Sequence, residues 1–178
     1  PAAVFAEPLL RLVEVPDLEV QVLAAEAMGR LADDRFLPAL LPLLGVRQTR
    51  QAAREAFLTY GAKGLHFLEE ALRDPSMPQE LRRHLPSTLS AFDPAAAARV
   101  LERRLLPEPD GMVRFKILRG LNRLARRPEV RLDPAILEQA TRETLENALR
   151  LLHWRFVLER GAREEGERWW PLVACPTF

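Results

Sequence analysis

Residues 23–44, LAAEAMGRLADDRFLPALLPLL, decide the fold. Two apolar blocks rich in Leu and Ala flank a short charged break at residues 33–35. Apolar residues recur at i, i+3, i+4 and i+7, which is the spacing of an amphipathic helix, and strand-like alternation is missing from the sequence. Gly29 predicts the close approach of a neighbouring helix, Pro38 fits a first helical turn, and Pro42 predicts a bend. The segment is therefore interpreted as the second helix of one unit, a turn, and the first helix of the next.

The same pattern recurs along the chain. The block AAEAM at 24–28 returns as AAREAF at 52–57, and looser copies follow at 81–106 and 112–126. Each copy predicts two helices, and such a pair cannot bury its apolar side alone, whereas stacked copies can. The leucines that recur with a spacing of 28 residues are Leu37, Leu40 and Leu44 in one copy and Leu65, Leu68 and Leu72 in the next.

These motifs carry a resemblance to a known family. The segment from Pro16, PD-x-x-V-x-x-x-AAEAMGRLADDRFLPALLPLL, resembles a HEAT repeat of the bacterial, PBS-lyase-like kind, and DGMVRFKILRGLNRL at 110–124 is similar to the same signature. The resemblance covers roughly residues 1–130 and is weak in the third copy, which carries Pro86 within a helix. It implies an all-α fold, namely a right-handed α-solenoid of about four HEAT-like helical hairpins plus a long C-terminal helix.

The resemblance also sets the expected domain organisation. Residues 1–131 are expected to form the HEAT-like repeats, residues 132–165 a long helix packed on the solenoid, and residues 166–178 an irregular tail. Residues 110–159 also resemble the HEAT modules attached to transporter-like membrane domains in some bacteria. Because the chain begins with Pro1 and not with methionine, we expect a piece of a longer protein.

The long helix is expected to change character along its length. Its first half carries an exposed charged stripe at i+4 spacing, whose next two positions are Trp154 and Leu158. Leu145, Leu152 and Phe156 are expected to continue the buried side, so that the helix is apolar on both sides from Leu149 onwards. Two explanations stay open: residues of the tail at 169–178, or residues missing from the chain, cover the second side, or it is a partner interface.

Positive charge is concentrated in the middle of the chain. Residues 1–46 hold three Arg against seven acids, residues 47–131 hold 17 basic side chains against 10 acids, and residues 132–178 hold six against eight. On a helix over residues 113–127, five cations lie opposite an apolar stripe, and we call them the basic ridge. The basic ridge consists of Lys116, Arg119, Arg123, Arg126 and Arg127, and the residues expected to extend it are Arg47, Arg50, Arg54, Arg82 and Arg83.

Three explanations of the basic ridge remain open. In the first, the ridge is a solvated face, and Asp/Arg pairs between repeats merely hold them in register. In the second it binds an acidic protein surface, and in the third it binds a phosphate backbone. Phe115 is the one aromatic residue between the cations, so base stacking lacks support in the sequence.

Sequence motifs for catalysis or metal binding are weak. His66, His84 and His153 lie far apart in sequence without metal-ligand spacing, and Cys175 has no companion in a motif. The eight glycines form no phosphate-binding loop, and the longest uncharged stretch near the front is shorter than the roughly 20 residues of a membrane span. We therefore expect no metal, no cofactor and no membrane insertion by this segment.

The expected function is binding. A protein-interaction scaffold would use the basic ridge in a concave groove, together with Trp154 and Leu158 on the C-terminal helix, to bind another protein or another domain of its parent chain. The resemblance leaves two enzymatic alternatives, a bilin lyase and a DNA glycosylase, and the basic ridge leaves a nucleic-acid binder. The expected location is the cytoplasm, either free or as the cytoplasmic portion of a membrane-anchored parent.

Overall fold

The computed structural model describes the backbone of residues 2–165 and the side chains of residues 5–160. The expected tail at 166–178, with Cys175, lies outside the described residues. Within the described part the chain is helical and contains no β-strand, so the all-α class is confirmed. The helices are α1 (Ala2–Glu14), α2 (Leu18–Leu31), α3 (Leu37–Leu40), α4 (Arg50–Thr59), α5 (Ala62–Arg73), α6 (Gln79–Arg82), α7 (Leu85–Leu89), α8 (Pro94–Leu105), α9 (Gly111–Leu124) and α10 (Pro134–Glu165).

Aspartate side chains begin several of these helices. Asp17 accepts hydrogen bonds from the backbone N–H groups of Glu19 and Val20 at the start of α2, and Asp110 accepts from the second and third residues of α9. Asp93 caps α8 in the same way, just before Pro94. These caps satisfy backbone donors that have no partner inside the helix, which explains why the chain turns into a helix at these points.

Prolines break two of the expected helices. Pro42 ends α3 after one turn, and a short 3-10 turn, Pro42–Leu44, follows it. Pro86 lies at the start of α7 and has no N–H to donate to the preceding turn, so the helical segment before it divides into α6 and α7. Where a bend was expected at Pro42, the structure has an interruption of the α-helix.

The packing of residues up to Asp133 follows chain order. Contacts join α1 with α2, α2 with α4, α4 with α5, α5 with α7, and α9 with both α7 and α8. The recurring leucines are buried in this core, and α2 packs so closely on α4 that a Cβ built at Gly29 would lie 2.9 Å from the Cα of Ala56. The predicted role of Gly29, a close helix approach, is confirmed.

Hydrogen bonds and ion pairs link residues about one repeat apart. The Thr59 hydroxyl donates to the carbonyl of Gly29 at 2.9 Å, 30 positions earlier. Lys63 pairs with Asp34 at 2.7 Å across 29 positions. Arg103 donates to both carboxylate oxygens of Glu69 across 34 positions. These bonds span 29 to 34 positions, somewhat more than the 28 positions that separate the recurring leucines.

The backbone separates into two compact units, residues up to Asp133 and residues from Pro134 onwards. In the second unit, α10 is a single long helix with an ion pair between Glu138 and Arg142. Leu145, Leu152 and Phe156, which were expected to continue a buried side, are each about 60% exposed. The domain boundaries and the docking of the long helix on the repeats stay predictions.

Candidate functional site

The basic ridge divides at the end of α9. Lys116, Arg119 and Arg123 lie on the helix, opposite the buried stripe that begins at Val113. The helix ends at Leu124, three residues before the expected end, because Pro128 disfavours a helical Arg127 and offers no N–H to the last turn. Arg126 and Arg127 are exposed in the turn that follows. Their expected position on the same helix face as the other three cations therefore does not hold.

Two cations of the ridge lie near cations from earlier parts of the chain. Arg50 on α4 places its Nη2 atom 3.2 Å from Nε2 of His84, and Arg54 donates from Nη2 to the Ser87 hydroxyl at 3.3 Å. Besides burial, the positive charge of Lys116 lowers the pKa of His84, and that of Arg123 lowers the pKa of Arg54. We call this group the basic cluster, and its members are Arg50, Arg54, His84, Lys116 and Arg123.

Arg54 is partly withdrawn from water among like charges. Burial lowers the pKa of the Arg54 guanidinium, and the positive charges of Arg50 and then Arg123 lower it further. Its Nε atom is buried without a hydrogen-bond partner in the part of the chain that the structure describes, as are those of Arg83 and Arg104. An unpartnered donor costs free energy, so the environment of Arg54 favours the arrival of an acceptor.

His84 is held in its neutral form by the same neighbours. Burial is the largest cause that lowers the pKa of His84, followed by the positive charges of Arg50 and Lys116. Glu80 raises this pKa, and Arg54 has a smaller lowering effect. The guanidinium of Arg50 can only donate, so Nε2 of His84 is the acceptor in their contact. The proton of the neutral ring therefore lies on Nδ1.

Arg50 is fixed in position by backbone acceptors. Its Nε atom donates to the carbonyl of Leu44 at 2.7 Å, and its Nη2 atom donates to the carbonyl of Gly45 at 3.0 Å. Both carbonyls lie at the end of the 3-10 turn that Pro42 begins. The break at Pro42 thus positions the cation that faces His84.

Three of the arginines expected to extend the ridge lie elsewhere. Arg82 is buried and donates from Nη2 to both oxygens of the Glu108 carboxylate, at 2.8 and 2.7 Å, so the expectation that it lines the ridge is wrong. Arg83 pairs with Glu80 at 2.9 Å. Arg47 is exposed in the turn before α4. Arg50 and Arg54 belong to the basic cluster, and their expected position along a groove stays a prediction.

The predicted second contact lies on α10. Trp154 and Leu158 are 57% and 58% exposed, among further exposed apolar side chains of the same helix. The ring of His153 stands beside the Trp154 indole in an edge-on arrangement. The described residues thus present an apolar surface on α10, and its role as a contact stays a prediction.

The remaining chemical groups are dispersed. His66 is exposed on α5 and His153 on α10. Among the described residues, no three His, Cys, Asp or Glu side chains are grouped so as to hold a metal ion. In the same residues, no helix combines the length and apolar character required to cross a bilayer.

Sequence reasoning missed the place of His84 in the basic cluster. The residue was interpreted by itself, as a surface or groove histidine without metal-ligand spacing. Arg50 and His84 lie 34 positions apart, as do Glu69 and Arg103, and this shared spacing becomes visible only in the folded chain.

Comparison with known proteins places the chain in no group. No protein-family model matches the sequence, and no curated protein matches it.

Proposed function

We propose that the protein is an interaction scaffold that binds an acidic segment of a protein partner, or of another domain of its parent chain, on the basic cluster and on Arg119. The scaffold is a right-handed α-solenoid of HEAT-like helical hairpins, stacked from α1 to α9. The packing of each helix on its neighbours in chain order supports this arrangement, as do the hydrogen bonds between residues about 30 positions apart.

One observation carries the proposal: cations from α4 and α9 gather around Arg54 and around the neutral His84, which lies between α6 and α7. Around Arg54 the charged groups that alter its pKa are both cations, Arg50 and Arg123. Like charges placed together repel, and a complementary anionic surface removes that repulsion when it binds. In a ladder that merely held the repeats in register, the arginines would instead pair with acids, as Arg103 does with Glu69.

The apolar surface of α10 is the proposed second contact. Trp154 and Leu158 are large, exposed side chains, and aromatic and leucine anchors contribute strongly when a partner covers them. In this proposal the basic cluster sets the position of an acidic partner, and α10 adds apolar area.

Charge reversal tests the proposal. Arg119→Glu combined with Arg123→Glu should weaken binding of a fluorescent oligoglutamate peptide about tenfold or more, measured by anisotropy at constant ionic strength, with helicity unchanged by circular dichroism. The matched control reverses Arg11 and Arg30, which lie on α1 and α2 and are exposed. Equal weakening in both variants, or no weakening in the first, would contradict the proposal.

The same assay separates the nucleic-acid alternative. A surface for a phosphate backbone would bind a single-stranded oligonucleotide more tightly than oligoglutamate, with an affinity that falls by roughly one power of salt concentration per phosphate contacted. The proposal predicts the reverse preference.

A further inference from the structure

We propose that the basic cluster is a binding site for a phosphate monoester dianion, carried by a phosphorylated side chain of the partner protein. The inference rests on the proposed function and names the chemistry of its central contact. It starts from His84, which lies between α6 and α7 and faces cations from α4 and α9.

Among the described residues, the hydrogen bonds of the two arginines near His84 go to carbonyl, amide, hydroxyl and imidazole groups, and none goes to a carboxylate. Arg50 is held by the carbonyls of Leu44 and Gly45, so its guanidinium is fixed 3.2 Å from the imidazole. Arg54 has a buried Nε atom without a hydrogen-bond partner among the described residues. Glu80 is the acid that influences His84, and it already pairs with Arg83.

A dianion suits this site better than a single carboxylate. Two guanidinium groups and an ammonium group present several N–H donors and three positive charges. A single negative charge would neutralise only one of them. A phosphate monoester carries close to two negative charges at pH 7 and three acceptor oxygens, and arginine forks match its geometry. A phosphodiester has one charge per group and relies on several groups in a row.

Binding should be coupled to protonation of His84. In the neutral ring, Nε2 accepts a hydrogen bond from Arg50, and a proton on Nε2 would turn that contact into a repulsion between two donors. A phosphate oxygen that replaces this direct contact, with the two side chains moved apart, would accept from both. The anion therefore stabilises the imidazolium form, and by linkage it raises the pKa of His84.

The groups that face His84 fix the expected pH dependence. Arg50 and Arg54 on α4 and Lys116 on α9 disfavour its protonation, and Glu80 on α6 favours it. Affinity for the phosphate monoester should thus rise as pH falls from 8 towards the second pKa of the phosphate, about 6. Below that pH the ligand itself loses charge, so affinity should fall again.

Nuclear magnetic resonance of the three histidines in the full chain provides the test. The pKa of each ring is followed in sodium phosphate and in sodium chloride of equal ionic strength. Phosphate should raise the pKa of His84 by about 1, which corresponds to a tenfold preference for the charged ring, and should leave His66 unchanged. Arg54→Gln should abolish the rise, whereas the control Arg30→Gln should retain it. An unchanged pKa of His84, or the same rise in chloride, would overturn the inference.

A second measurement identifies the carrier of the phosphate. A peptide with one phosphoserine should bind about tenfold more tightly than its serine counterpart, and His84→Gln should remove this preference at pH 6.5 while circular dichroism stays unchanged. An oligonucleotide that binds more tightly than the phosphopeptide at the same salt concentration would overturn the choice of a phosphoprotein. If oligoglutamate binding persists without any phosphate effect, this inference fails and the proposed function stands; if both are lost, both fail.

Discussion

Arg82 and Arg54 have opposite environments in the structure, although the sequence pattern predicted the same role for both. Arg82 is buried and donates to Glu108 and to the carbonyl of Leu72. Arg54 lies among cations on a partly exposed surface. The first arginine stabilises the fold and the second creates a binding surface. Burial and the charge of the neighbours, which are tertiary properties, decide between these roles.

The buried ion pair predicts a large loss on truncation. Glu108→Ala should lower the free energy of unfolding by about 3–5 kcal/mol, because it leaves the Arg82 guanidinium buried without its carboxylate. Urea denaturation measures the loss. The control Lys63→Ala removes an exposed pair with Asp34 and should cost less than about 1 kcal/mol. The prediction is wrong if the two variants lose equal amounts, or if Arg82→Met combined with Glu108→Leu is less stable than Glu108→Ala alone.

Asp33 predicts a specific response to acid. The Arg35 side chain and then its backbone N–H hold the pKa of Asp33 at about 2, below the ordinary 3.8. Since the folded pKa is lowered, the stability that Asp33 contributes is present above the unfolded value and is lost as pH falls through the folded one. Arg35→Gln should raise the pKa of Asp33 towards 3.8 in a carboxyl NMR titration, while Arg30→Gln should not. A pKa that stays near 2 in Arg35→Gln would refute this cause.

Single residues at helix boundaries determine the shape of each element. Asp17, Asp93 and Asp110 start helices by capping them, and Pro42 and Pro86 divide helices that the periodic pattern alone would continue. The early end of α9 has the same origin, in Pro128. The elements are thus regular where the apolar period is uninterrupted and short where proline removes a backbone donor.

Close packing of α2 on α4 predicts a penalty at Gly29. Gly29→Ala should lower the free energy of unfolding by about 1–3 kcal/mol, because the added Cβ would lie 2.9 Å from the Cα of Ala56. The cost of this steric overlap is larger than the gain in helix propensity from replacing glycine with alanine. Gly111→Ala, at the start of α9, is the control: nothing among the described residues lies within 4 Å of the added Cβ, so stability should change by less than about 0.5 kcal/mol. A fully stable Gly29→Ala would contradict the close approach.

The exposed apolar side of α10 predicts dye binding. Trp154→Ser combined with Leu158→Ser should lower the fluorescence of an added hydrophobic dye such as ANS, because these two side chains form part of the exposed apolar surface. Glu138→Ala combined with Arg142→Ala changes a charged face of the same helix and should leave the dye signal unchanged. Equal signals in the two variants would indicate that the dye binds elsewhere.

At the scale of the whole molecule, the repeating spacing of apolar residues predicted more of the structure than arguments from single residues did. The apolar spacing and the recurring leucines were sufficient for the all-helical class. The burial of Arg82 was beyond the sequence, because its partner Glu108 lies 26 positions away in a loop without a recurring pattern. The position of His84 in the basic cluster was missed because it depends on how segments 34 positions apart in the chain pack together.

Nuclear magnetic resonance mapping of an acidic ligand tests the central claim most directly. In a titration of the full chain, labelled with nitrogen-15, with an oligoglutamate peptide, saturable shifts should concentrate on α4, on residues 84–87 and on α9. That pattern would show that cations on α4 and α9 form one binding surface with residues 84–87. Shifts that never saturate, or that lie mainly on α1, α5 and α8, would contradict it.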